Sequence, residues 1–280
     1  MSITIKYSPA FKPYKIKFPI NWLVNPYNNK NWLHNFNSLR WLVSDRDSQS
    51  KKKVLYDFYQ FHCVKRKRNP YYDEMRGDHT AAIRLGVLIE IKKDFVLEGS
   101  VDGAEICRRL LLEEIKNLQK ENLYRIGHNH GLMVDLALLQ LVLDYPDYKK
   151  RVNLDLILGR SKETLEAMWS NSGLTKEHSV SYQEYNLPLT IEYFHKIKKL
   201  GLKSHASVSL EKVVYESKRF LGYMINSNGE YFPLGDSFRS PNEKILNKVF
   251  GNGGSKRPKD LLMPYSDEKG TYHNDSYFIY

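Results

Sequence analysis

The chain has 280 residues and a mass of 32.9 kDa, enough for one large domain or two ordinary ones. Hydrophobic residues make up 41% and charged residues 27%, a globular composition that excludes a disordered chain. Forty-three Lys and Arg against 32 Asp and Glu leave a charge of +11, which favours polyanionic partners: nucleic acid, anionic lipid or acidic glycan.

Residues 1–30 are rich in Pro, Asn and Tyr, show little periodicity, and read as an extended arm ending at Asn21-Trp22-Leu23-Val24-Asn25-Pro26. Trp32, Phe36, Leu39 and Val43 then fall at three- and four-residue steps and predict the first helix. A second is expected over residues 53–63 (Val54, Phe58, Phe61), broken before Asn69-Pro70. A third is predicted over 79–91, and a fourth from Asp102, with Ile106, Leu110, Ile115 and Leu118 as its buried stripe. After His128-Asn129-His130-Gly131 comes an almost wholly apolar helix, 132–143, which belongs inside the protein. Helices are also predicted over 153–170, 181–200, 210–224 and 242–250, with turns at Asn226-Ser227-Asn228-Gly229 and at residues 251–255. The tail, 270–280, alternates and reads as a strand.

About eight to ten helices on short connectors, with no βαβ rhythm and no Gly-rich phosphate loop, make the fold class all-α. Helix pairs of roughly 40 residues suit an array or a toroid of helical hairpins. Cys63 and Cys107 lack CxxC spacing, so neither a disulfide framework nor a thiolate zinc site is expected, and both read as buried thiols. No run of about 18 apolar residues predicts a membrane span, and the N-terminus has no export signal. The chain as given reads as cytoplasmic, or as periplasmic or secreted if its native form carries such a signal.

Four segments carry polar side chains suited to chemistry. His128-Asn129-His130-Gly131 opens a buried helix, where backbone N–H groups, side-chain donors and the helix dipole converge on an anion. The competing reading makes Asn129 a helix cap. His128-x-His130 lacks a third ligand at metal spacing, so no metal is expected. In Glu177-His178-Ser179-Val180-Ser181-Tyr182-Gln183, Ser179 or Ser181 caps the next helix, and Tyr182 in its first turn is a candidate acid or base. Asp78-His79 with Arg84 opens another helix, where Arg84 reads as an internal tether more than as a ligand group. Gly229-Glu230-Tyr231 through Gly235-Asp236-Ser237 is a turn and an acidic cap, uninformative alone. The basic runs Lys51-Lys52-Lys53 and Lys65-Arg66-Lys67-Arg68 read as a solvated face or a nucleic-acid patch.

Taken in order, Asn21-Trp22-Leu23 with Trp32 and Arg40-Trp41, Asp78-His79 with Arg84, Asn129-His130-Gly131, Ser179-x-x-Tyr182, and Gly229 with Gly235-Asp236-Ser237 resemble the N-terminal helical domain of the heparinase II/III and alginate lyase group of polysaccharide lyases. The resemblance implies an incomplete (α/α) toroid over residues 31–265, preceded by the arm (1–30) and followed, from 266 to 280, by a linker and the first strand of a C-terminal β-sandwich domain. It implies β-elimination at a uronic acid in an acidic polysaccharide; no cofactor is expected, and no metal among the residues of this chain. Asn129 and His130 would neutralise the uronate carboxylate, Tyr182 would transfer a proton, and His128, His79, Arg84, Gln183 and His178 would contact substrate. Relatives often place His where this chain has Gln183, and their β domain supplies a further histidine and tyrosine, so that domain is expected to be missing or separately encoded. Two other readings stand beside it: a non-catalytic acidic-glycan-binding or capsule-assembly protein, and, on the basic runs alone, a nucleic-acid-binding helical domain.

Overall fold

A computed structural model describes residues 2–6, 11–43, 47–64, 75–177, 179–205, 209–225, 229–235, 237–250, 271–272 and 278–279. His178, the run 65–68, residues 226–228, Asp236 and the loop 251–255 lie outside the described residues. The chain forms two compact units, Met1–Tyr124 with Ala137–Asn153, and Arg125–Leu136 with Leu154–Tyr280. Among the described residues the fold is all-α apart from two short hairpins. No helix there is long and apolar enough to cross a membrane.

The first unit opens with a hairpin of β1 (Ser2–Ile5) and β2 (Tyr14–Lys17), so part of the expected extended arm pairs with itself. Trp22 anchors the arm: it is fully buried, its indole Nε1 donates to Asp57 Oδ1 at 2.7 Å, and its ring stacks on Phe36. Helix α1 (Lys30–Asn37) stops earlier than periodicity predicts. Leu39 turns to a left-handed φ of 60°, an uncommon conformation for leucine, and the Trp41 indole caps the Phe36 carbonyl at 3.0 Å. That turn keeps Leu39 buried while Val43 stays exposed. Helix α2 (Ser48–Tyr59) starts five residues before the expected position because Asp47 caps it at Ser50 N, and it continues as a π-helical turn, Gln60–Val64.

Helices α3 (Asp78–Leu97) and α4 (Val101–Leu118) form an antiparallel hairpin, with Ile106, Leu110, Ile115 and Leu118 all buried as the stripe predicted. Arg84 lies inside this unit. Its Nε donates to Glu114 Oε1 at 2.8 Å and its Nη1 to the carbonyls of Asn37 and Met75, at 2.7 and 2.9 Å. At 1% exposure it cannot bind substrate, which corrects that expectation. Lys51 is likewise no part of a solvated basic face: it is 7% exposed and bonds Asp94 at 2.7 Å. Of the two thiols, Cys107 is buried and Cys63 only half-buried; burial pushes Cys107 up to about 12 and Cys63 up to about 11, so both stay protonated.

Helix α5 (Asn129–Asp144) begins in the second unit and ends in the first. The second unit continues with α6 (Leu154–Met168), α7 (Val180–Lys199), α8 (Leu210–Tyr223) and α9 (Glu243–Phe250). Helix α7 packs against both α8 and α9. The tail holds two short strands, β3 (Thr271–Tyr272) and β4 (Phe278–Ile279), paired antiparallel, where one strand was expected.

Two stability tests follow from the first unit. Arg84→Met strands the buried Glu114 carboxylate and should cost about 3–5 kcal/mol in urea unfolding, whereas Arg84→Met with Glu114→Leu should recover most of the loss. His62 sits among the rings of Phe58, Phe61 and Trp22, and burial, reinforced by Arg84 and Arg76, holds its pKa well below the ordinary value. The unfolded chain therefore takes up a proton that the folded chain refuses, and stability falls as pH drops below about 6.5. His62→Phe should flatten that acid limb in thermal melts.

Candidate active site

The site is built on three helices whose directions are fixed by side-chain bonds within the second unit. Arg160 of α6 donates from Nε (2.8 Å) and Nη2 (2.6 Å) to Asp135 Oδ1 of α5. At the other end of that contact Gly127 N, just before α5, donates to Thr164 Oγ1 at 3.4 Å. Moving forward along α5 thus means moving backward along α6. Gly127 is required there: its φ is +73° and a Cβ would meet Ala167 Cβ at 3.0 Å. Helix α6 meets α7 through Ser161 and Tyr193 (2.5 Å) and through Trp169 and Thr190 (2.9 Å), again antiparallel. Helices α5 and α7 therefore run parallel, with their N-termini at the same end.

Asn129 and His130 are in the first turn of α5, not in a loop before it. The cap is His128: its ring Nδ1 accepts from His130 N at 3.1 Å, and its carbonyl from Gly131 N at 2.9 Å. The reading of Asn129 as the cap is thereby corrected. Asn129 is 5% exposed, and its side-chain oxygen, fully buried, has no hydrogen-bond partner among the described residues. A buried polar atom left so costs about 1–3 kcal/mol. The His128 and His130 rings meet edge to face, 4.4 Å between centroids, with His128 exposed and His130 half-buried.

Tyr182 lies in the first turn of α7 and is 37% exposed. Its neighbour Tyr185, 38% exposed, donates to Met133 Sδ at 3.6 Å. Residues three or four apart share a helix face, so Tyr182 lies one turn before Tyr185 and Asn129 one turn before Met133. The Tyr185–Met133 contact thus carries Asn129 and Tyr182 to the same end of two parallel helices.

The start of α7 is held in two ways. Ser179 Oγ accepts from Tyr182 N (3.4 Å), and Ser237 Oγ accepts from Val180 N (2.7 Å) and Ser181 N (3.4 Å). Phe238 N donates to Ser181 Oγ at 2.8 Å, which brings the exposed Phe238 beside this turn. One turn on, buried Glu184 accepts from Tyr231 OH (2.8 Å) and Asn242 N (2.6 Å), and burial raises both acids above their ordinary values. Tyr231 and Ser237, from a segment uninformative as sequence, therefore clamp the turn that carries Tyr182.

The remaining expected contacts divide. Gln183 is fully buried; it donates to Gly173 O (2.9 Å) and accepts from Thr175 N (2.7 Å), so it braces the preceding loop, and the expectation that it binds substrate is corrected. His79 belongs to the first unit, where its half-exposed ring lies tilted against that of His34, 4.5 Å between centroids, and His34 Nδ1 bonds Thr80 Oγ1 at 2.8 Å. Sequence reasoning missed Asp135 and Arg160. The signal was there: a lone Asp within the apolar run 132–143 must find a buried cation. Among the described residues, no three His, Cys, Asp or Glu side chains are placed to hold a metal ion.

Chemically, the end of α5 offers a buried carboxamide, an imidazole and the positive end of a helix, and the end of α7 offers an exposed phenol. The first set suits an anion. The second can move a proton.

Compared with solved structures, the chain is similar to the heparan sulfate lyase HepC from Pedobacter heparinus, with a TM-score of 0.67 over 88% of this chain at 13% identity. A mutant of that lyase gives 0.67 over 89% at 13% identity, and heparinase III gives 0.57 over 86% at 15% identity. The chain spans 40%, 42% and 40% of those three chains. No family model and no curated protein matches it. The likeness shows that the chain has the heparinase III-like polysaccharide lyase fold.

Ser237→Ala should lower stability by roughly 1 kcal/mol. Hydrogen exchange should show faster exchange at Val180 and Ser181, with the α5 amides unchanged; equal protection in the variant would remove Ser237 from the clamp.

Proposed function

We propose that the chain is the helical part of a polysaccharide lyase that cleaves acidic polysaccharide at a uronic acid by β-elimination. The observation that carries the reading is the Asn129 carboxamide, buried at the start of α5 with its oxygen unpartnered among the described residues. A carboxamide offers a donor and an acceptor at nearly equivalent positions, so a half-turn about its terminal bond aims N–H groups where the oxygen now lies. A uronate carboxylate there would accept from Asn129 and His130 and gain from the helix dipole. Similar folds in heparan sulfate lyases support the substrate class.

The elimination sets clear demands. The proton leaves the carbon beside the carboxylate for a general base, a role open to the histidine or tyrosine expected from a β domain, and its electron pair spreads into the carboxylate as an enediolate. That pair then forms the C4–C5 double bond as the C4–oxygen bond breaks, and the departing oxygen takes up a proton. Asn129 and His130 stabilise the charge where it develops. Tyr182 supplies the proton to the leaving oxygen, and the exposed rings of Tyr182, Tyr185 and Phe238 are surfaces on which a sugar ring can lie.

Full-length protein should release unsaturated products, seen as ultraviolet absorbance, from at least one member of a panel of uronate polymers. Asn129→Ala should lower kcat on the order of a hundredfold or more, and Tyr182→Phe should retain glycan binding while losing turnover. Binding without product across the whole panel would overturn the lyase reading in favour of a non-catalytic glycan-binding protein.

A further inference from the structure

The first 44 residues contain Lys6, Lys12, Lys15, Lys17, Lys30 and Arg40 and no Asp or Glu, so they hold six of the eleven excess positive charges. Three of these lysines stand on one face of the β1–β2 hairpin. The register pairs Ser2 with Lys17, Ile3 with Ile16, Thr4 with Lys15 and Ile5 with Tyr14. Side chains alternate between faces along a strand. Ile3, Ile5 and Ile16 accordingly turn inward and are buried, whereas Ser2, Thr4, Lys6, Lys15 and Lys17 are exposed.

Burial of the isoleucines locks the lysines outward, since a slip of one residue would exchange the two faces. On such a face neighbours along a strand stand about 7 Å apart and the strands about 5 Å apart, so the cations form a compact block. No carboxylate on the hairpin offsets them.

We propose that this lysine face is a binding surface for a linear acidic polysaccharide, gripped at its sulfate and carboxylate groups, in addition to the Asn129 and Tyr182 site. The ligand class rests on the lyase reading. It also suits the face itself, which presents only Ser, Thr and Lys side chains, whereas surfaces for single-stranded nucleic acid add aromatic rings on which bases stack.

The test uses heparin as the probe and the full chain. Lys15→Glu with Lys17→Glu should weaken heparin binding about tenfold or more, and should make the slope of log affinity against log salt shallower by about two. Lys15→Gln with Lys17→Gln should show the slope change in smaller measure, with circular dichroism matching the parent. An unchanged salt slope in both variants would overturn the proposal, leaving the lysines only to guard an exposed strand edge. Equal competition by duplex DNA at matched charge would also overturn it, assigning the face to nucleic acid. Lysine-dependent heparin binding with no unsaturated product from the parent protein on any member of the uronate panel would defeat the lyase reading alone. Product formation with heparin affinity unchanged in the variants would defeat this proposal alone.

Discussion

The Asp135–Arg160 ion pair is the constraint on which the second unit depends. The two side chains are 0% and 7% exposed, and both guanidinium bonds fall on one carboxylate oxygen, at 2.8 and 2.6 Å. Charges so buried are tolerated only in good geometry, because desolvation costs several kcal/mol per ion. The α5–α6 register therefore has little freedom to slide. With the Ser161–Tyr193 and Trp169–Thr190 bonds it makes α5 and α7 parallel, and parallel helices place two N-termini, and two positive dipole ends, side by side.

Satisfied and unsatisfied groups then divide the labour. The start of α7 is saturated, because Ser179 and Ser237 between them take the amides of Val180, Ser181 and Tyr182. What that turn offers to solvent is the Tyr182 ring. At the start of α5, His128 takes the amides of His130 and Gly131, and the Asn129 side-chain oxygen is left buried without a partner among the described residues. An exposed phenol on one helix and an unmet hydrogen-bonding group on the next are what the proposed elimination requires at one place.

Much of this was legible in the sequence, and the failures have physical causes. The stripe in 102–118 and the apolar run 132–143 gave helices close to the observed ones, because burial of a periodic face decides them. The first predicted helix overran, since periodicity does not reveal that Leu39 adopts a left-handed turn or that the Trp41 indole ends the helix. Asn129, His130 and Tyr182 could be singled out as polar residues at helix starts. Arg84 reads from its own sequence as an internal tether, and only the resemblance makes it a binding residue; Gln183 could not be told from one, because the Gly173 carbonyl that it braces lies 10 residues away. The role of Ser237 was illegible for the same reason: it reaches back 57 residues to cap Val180.

The central claim is that the Asn129 carboxamide is the carboxylate-binding group, and side-chain amide resonances report on it directly. In protein labelled with nitrogen-15, titration with a uronate oligosaccharide should move the Asn129 side-chain signals, assigned by their loss in Asn129→Ala. The same oligosaccharide with its carboxylates converted to methyl esters should leave them in place. Signals that stay fixed with the acid, or that move equally with the ester, would contradict the account.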